Sequence, residues 1–98
     1  MTTWYVACLD REDDRFGVWF PQFPGCVSVG HNFSEAMANG EEVLAGHVHF
    51  MRVDDDPVPE AKRVEDLMRD DELKKEMEGQ FIVLIPLHET APSAIAAE

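Results

Sequence analysis

Three kinds of side chain in this sequence could do chemistry: abundant carboxylates, four histidines and two cysteines. Carboxylates serve metal-dependent phosphoryl transfer only when several converge from different elements, because each ion must be held while it bridges oxygens of a phosphodiester. Asp10 at a strand end and Glu35 or Glu41 on a helix could supply two such ligands, whereas Gln80 to Pro86 carries no acid at all. The other acids cluster in loops and on a second helical stretch, where they read as a solvated face. His47 and His49 stand at i, i+2, and a helix advancing about 100° per residue points them about 200° apart, so they cannot share an ion. His47 is better read as part of a packed stripe, and His31 and His88 lie in connections. Cys8 and Cys26 match no zinc or redox spacing, and a small disulfide-stapled secreted domain would carry more of them. They read as reduced thiols in a core. No Ser/His/Asp set, Cys/His dyad or phosphate-cradling glycine loop is legible, so no catalytic residue, metal ligand or cofactor is assigned.

The chain has 98 residues, enough for one small domain. It carries 20 acidic and 8 basic side chains, a formal charge of −12, yet is 45% hydrophobic. Disordered chains pair high charge with low hydrophobicity, so a packed core is expected. The charge disfavours nucleic acid, whose affinity rests on Lys and Arg meeting phosphate, and disfavours anionic membranes for the same reason. A basic protein is the natural partner, although an acidic surface also serves solubility alone. Trp4 to Leu9 is too short for a signal-peptide core, lacks a basic leader and runs straight into Asp10-Arg11-Glu12-Asp13-Asp14. No apolar run approaches the roughly 20 residues that span a bilayer, and a cytoplasmic location is expected.

The elements that would position these groups follow from periodicity. Trp4 to Leu9 alternates aromatic and β-branched residues, Asp10 to Arg15 reads as a hairpin connection, and Phe16 to Phe20 as the returning strand. Pro21 and Pro24 interrupt pairing, and Cys26 to Val29 is a third strand ending at Gly30, with Gly25 and Gly30 in turns. The period then becomes helical: Phe33, Ala36, Met37, Gly40, Val43, Leu44, His47, Val48 and Met51 share one stripe, with Asn32 as N-cap and Glu35 completing a capping box. Asp54-Asp55-Asp56-Pro57-Val58-Pro59 ends this helix. A second helical stretch runs from about Val64 to Glu78, supported by Asp70/Lys74 and Asp71/Lys75 at i, i+4 spacing, with a possible break near Asp70 and Gly79 as C′ residue. Phe81 to Ile85 is a continuous apolar strand. Reached by a helical crossover, it is free to lie parallel to Trp4–Leu9 and beside it. The order is βββααβ, an α+β domain with a three-stranded antiparallel meander and a fourth strand. Trp4, and either Trp19 or the set Phe16, Val18 and Phe20, would face outward if only one side of the sheet were covered, which would favour a protein interface or self-association.

Phe23-Pro24-Gly25-Cys26-Val27-Ser28-Val29-Gly30, followed after His31-Asn32 by Phe33-Ser34-Glu35-Ala36-Met37-Ala38-Asn39, resembles the signature of the HicB antitoxin family. That signature has Tyr-x-Val near the start, a Pro-Gly-Cys-x-Ser/Thr-x-Gly turn and strand, and a Glu-Ala helix. Trp4-Tyr5-Val6, Phe20-Pro21, the Asp56-to-Glu60 turn and Val83-Leu84-Ile85-Pro86 match as well. The family's usual Asp-Thr is His31-Asn32 here, and Asn32 can still cap the helix.

The resemblance implies a partial RNase H-like fold. It also implies a function: antitoxin of a type II toxin–antitoxin system, occluding a small basic mRNA-cleaving HicA-like toxin whose catalytic histidine or RNA-binding surface need only be covered. Many relatives continue into an operator-binding segment, whereas this sequence has nothing basic after Lys75. Residues 1–87 are therefore expected to form the antitoxin domain and 88–98 a tail or linker, with no DNA-binding domain in this chain. Charge and exposure, rather than any family motif, place the toxin contact at Asp10, Asp13, Asp14 and Trp19. Phe23, Pro24, Gly25, Cys26, Gly30, Glu35 and Ala36 are assigned a structural part. A homodimer or higher homo-oligomer is expected, and the rival readings are a metal-dependent RNase H-like nuclease and an orphan oligomeric regulatory module.

Overall fold

In the computed structural model, which describes residues 2–89, two layers of helix sandwich one sheet. The strands are β1 (Thr3–Glu12), β2 (Arg15–Trp19), β3 (Val27–Gly30) and β4 (Phe81–Leu87), and the helices are α1 (Phe33–Val53), α2 (Val64–Leu67) and α3 (Asp71–Met77). The sheet order is β3-β2-β1-β4. The part of the expected tail from residue 90 onward lies outside the described residues.

The first hairpin is longer than the acidic run suggested. The ladder continues through Asp10↔Gly17 to Glu12↔Arg15, leaving only Asp13 and Asp14 for the turn, with Asp13 at φ 54°. Charged side chains do not end a strand if they can point to water, and a short Asp in the left-handed region closes the turn. Alternation along the strands then sorts the core. Tyr5, Ala7, Leu9, Val18, Phe20 and Ile85 pack under α1, whose buried stripe is Ala36, Gly40, Leu44 and Val48. Val6 and Cys8 point the other way and meet Leu67 of α2 and Met77 of α3. Trp19 leans on this second cluster, so the ring belongs to a packed layer.

Local signals fix the helix ends. Asn32 Oδ1 accepts the Glu35 N–H at 2.8 Å, the expected cap. Glu35 returns the bond one residue earlier than a capping box would, with Oε1 accepting from His31 N–H at 2.6 Å and lying 2.9 Å from its ring Nδ1. These contacts, the backbone bond first, hold the Glu35 carboxyl below its usual range, so its contribution is full above that range and is lost as pH falls through the lowered value. At the other end, Asp56 N–H donates to Met51 C=O and Asp55 N–H to Arg52 C=O, a Schellman motif with Asp55 in the left-handed position at φ 61°. The second helical stretch divides where expected. Asp70 accepts from the N–H groups of Glu72 and Leu73, so its carboxylate starts α3 as an N-cap and does not pair with Lys74.

The fourth strand lies beside β1 but antiparallel, from Thr3↔Leu87 to Leu9↔Phe81. The parallel expectation assumed one helical pass. Instead α1 runs along one face, residues 54–63 cross the end of the sheet, and α2 with α3 return along the other, so the chain re-enters the sheet at the end where α1 began. Tyr5 Oη donates to Pro59 C=O at 2.6 Å, while Gln22 bonds Glu60 C=O and Lys62 N–H, which straps the crossing segment in place.

Two backbone positions yield opposite predictions. Gly25 sits at φ 86° with open space around its Cα, so Gly25→Ala meets only backbone strain and should lower stability by about 1–2 kcal/mol. Asp55→Gly relieves the same kind of strain and should raise stability by up to about 1 kcal/mol. Thermal unfolding of the two variants against the parent measures both, and a shared direction of change would show that φ is not what decides them.

Candidate partner-binding surface

The acids first singled out as metal ligands do not converge. Asp10 projects from β1 to the face carrying α2 and α3, whereas Glu35 and Glu41 belong to α1 on the opposite face. Glu35 is engaged with His31, and Glu41 lies 3.0 Å from His88 Nε2. The rings of His47 and His49 pack separately against Phe23 and Phe50. Among the described residues no group of three or more His, Cys, Asp or Glu is placed to hold a metal ion. Cys8 and Cys26 are free and buried on opposite faces of the sheet, and burial pushes both thiols up to about 11. They are poor nucleophiles at neutral pH.

The motif from Phe23 to Ala36 forms the junction between sheet and helix. Phe23 is buried edge-on to Tyr5, with Cys26 buried beside it, while Pro24 is exposed and Gly25 turns the chain. Gly30 ends β3 directly against α1: a Cβ there would meet Ala36 N and lie 2.6 Å from Ala36 Cα. Only hydrogen fits between these two backbones. Glu35 and Ala36 occupy the turn of α1 that makes this approach.

The four residues expected at a partner contact fall in two environments. Asp13 and Asp14 are exposed at the hairpin tip. Asp10 and Trp19 are half-buried on the α2–α3 face, and Trp19 Nε1 donates to Gln80 Oε1 at 3.0 Å. The second helical layer stops at Trp19. Beyond it, Val27 and Val29 of β3 share that face and are 60% and 46% exposed. Register places Val27 beside Trp19 and Val29 beside Gly17, which is itself paired with Asp10. The result is an uncovered apolar strip on the sheet, with Asp10 along one side and the Asp13–Asp14 turn beyond one end. The two valines were not among the residues expected at the contact, because the strand was read only as the third of the meander. Their i, i+2 spacing put them on one face, but only the reach of α3 decides whether that face is covered.

The sheet and helix layers have counterparts in solved structures. The chain superimposes with a TM-score of 0.70 on the N-terminal domain of Burkholderia pseudomallei antitoxin HicB, at 23% identity, covering 88% of this chain and 99% of that one. A HicA3 and HicB3 toxin–antitoxin complex contains a chain matching with a TM-score of 0.69 at 24% identity, covering 88% of this chain and 99% of that chain. In sequence, an uncharacterized 14.9 kDa protein from the rep–hol intergenic region of Haemophilus phage HP1 is 34% identical over 81 residues, 83% of this chain. The matched region spans 57% of the phage protein's length. The family model for the HicB-like antitoxin of bacterial toxin–antitoxin systems matches residues 5–93, and the chain belongs to that family.

Proposed function

We propose that this chain is the antitoxin of a type II pair, which binds and occludes a small basic HicA-like mRNA-cleaving toxin in the cytoplasm and has no catalytic activity of its own. The observation that carries the reading is the uncovered strip of Val27 and Val29 beside Asp10 and the Asp13–Asp14 turn. An apolar centre with an acidic border suits a protein that ordinarily presents Lys and Arg to RNA phosphate. The valines and the edge of Trp19 give contact area, and the carboxylates take the place of phosphate. Family membership and the HicA3–HicB3 complex of a structural neighbour support a toxin as partner. Residues 1–87 act as the toxin-binding domain and 88–98 as a tail or linker; the chain itself binds neither nucleic acid nor membrane, and self-associates as a dimer. Among the described residues no helix is long and apolar enough to cross a membrane.

Separation of Asp10 from Glu35 and Glu41 by the sheet disfavours the nuclease reading. Incubating the purified protein with labelled RNA and Mg²⁺ or Mn²⁺ should yield no cleavage; cleavage abolished by Asp10→Asn would replace the antitoxin reading with that enzyme. Co-expression with a HicA-like toxin should rescue growth, and failure to rescue or to bind would leave the orphan-module reading standing.

The surface itself makes two further predictions. Val27→Lys/Val29→Lys, changing exposed side chains, should weaken toxin binding about tenfold or more, roughly 1.4 kcal/mol or more, while the melting temperature holds. Asp13→Lys/Asp14→Lys should slow association most at low salt, with the difference shrinking as salt screens it. Titration calorimetry and stopped-flow association report the two effects. Unchanged affinity in the first variant moves the contact elsewhere, and a salt-independent rate for the parent removes the electrostatic part.

A further inference from the structure

The sheet ends in two edge strands, β3 and β4, and they are finished differently. Alternate residues of an antiparallel strand turn both backbone groups toward the same neighbour. Because the first hairpin closes on Glu12↔Arg15 across a two-residue turn, Arg15, Gly17 and Trp19 bond β1, while Phe16 and Val18 bond Gly30 and Ser28 of β3. The backbone groups of Val27 and Val29 therefore face away from the sheet, as those of Leu84 do on β4, where Phe81 and Leu84 are exposed. At β3 a helix side chain intervenes: Asn39 Nδ2 donates to the Val29 carbonyl at 2.8 Å. Among the described residues this is the one side-chain hydrogen bond that reaches the outer backbone of β3.

Nothing in the helix itself asks for asparagine at this position. Asn39 stands well inside α1, where its amide competes with the backbone and alanine would form helix more readily. Its backbone is held on both sides. Ala36, one turn earlier, touches Gly30, and Gly40, the next residue, lies so near β4 that a Cβ there would meet Ile85 Cδ1 at 2.8 Å. With α1 pinned at both points, the amide reaches Val29 at little further cost in ordering. The bond lies at the rim of the fold, in a cleft lined by Arg15, Val29, Gly30, His31, Glu35 and Asn39. Water can take its place there, so its loss leaves no buried group unpaired. A half-buried asparagine that costs the helix something and adds little to the fold is free to serve the surface it touches.

That surface is the uncovered strip. Val29 supplies half of its apolar centre, yet on its outer side no strand holds the residue in place. The Asn39 amide does so from the helix. A strand added to β3 would need the same carbonyl, so the bond also closes this edge to backbone pairing. We infer that Asn39 is a positioning residue for partner binding: its amide holds Val29 in the strip and closes the β3 edge, so that the partner is received by side chains on the sheet face. Val29 makes the contact, and Asn39 acts through it. This assignment rests on the proposal that a toxin docks on the strip and specifies what fixes the strip for it.

Dissociation of a HicA-like toxin from the full chain, followed by surface plasmon resonance, tests it. Asn39→Ala should raise the dissociation rate about fivefold to tenfold and leave the association rate unchanged. The melting temperature should hold, since alanine recovers in helix propensity what the rim hydrogen bond contributed. In a Val29→Ala background the same substitution should change the rate little, because the two residues act as one. Asn39→Asp keeps the shape of the side chain, but its carboxylate cannot donate and its neutral carboxyl can. Its dissociation rate should therefore exceed the parent's at neutral pH and return toward it as pH falls through the carboxylate range. Arg15, His31 and Glu35, the charged and titratable groups of the same cleft, are common to both proteins, so the ratio of the two rates isolates residue 39. A parent that binds no toxin overturns this assignment together with the toxin reading. A parent that binds, with Asn39→Ala dissociating at the parent rate, overturns the positioning role alone, as does full additivity with Val29→Ala. A melting temperature that falls as the rate rises makes the bond a structural one and overturns the role as well.

Discussion

The approach of Gly30 to the backbone of Ala36 is the constraint from which the rest of the architecture follows. It sets α1 flat on one face of the sheet, with Gly40 over Val18 and Ile85 and the Ala36–Leu44–Val48 stripe over the aromatic floor of Tyr5, Phe20 and Phe23. A side chain at residue 30 would lift the first turn of the helix and undo this registration along its length. With α1 docked, the chain leaves that face at Asp54, and the crossing segment is held by Tyr5 and Gln22, residues of the first strand and of the turn after the second. Where α2 and α3 can then reach is limited by the length of that strap and by their own shortness, so they cover β1 and Ile82 of β4 and stop at Trp19, leaving Leu84 half exposed.

Element type was legible wherever the signal was local. The α1 stripe, its Asn32 cap, the division of the second helical stretch at Asp70 and the turn at Gly25 each depend on a few neighbouring residues, and each is where the sequence placed it. The direction of β4 was not legible, because it depends on how many helical passes precede it and on which face each one runs. The pairing of Asp70 with Lys74 failed for a related reason: the same carboxylate can serve a lysine or two backbone N–H groups, and the break in the helix settled the choice. Of the candidate site, the acids were visible as charge. The exposed valines were not, since exposure on a sheet is a property of the layer above it.

The resulting surface divides by chemistry. Carboxylates spread over the first hairpin, α2, α3 and the crossing segment, giving a field that favours basic molecules. Two apolar stretches interrupt it at opposite edges of the same sheet: one is a face, offering side chains, and the other an edge, offering backbone groups.

The two sealed thiols distinguish the two layers of the fold. Cys8 and Cys26 lie under different layers, and each is shielded both by burial and by a thiol held near 11, so neither reacts until its own layer lifts. Cys8 packs with Leu67 of α2 and Met77 of α3, whereas Cys26 packs in the α1 cluster with its sulfur 3.8 Å from the Val43 carbonyl. The two sulfurs thus sit as separate probes, one under each layer of the sandwich.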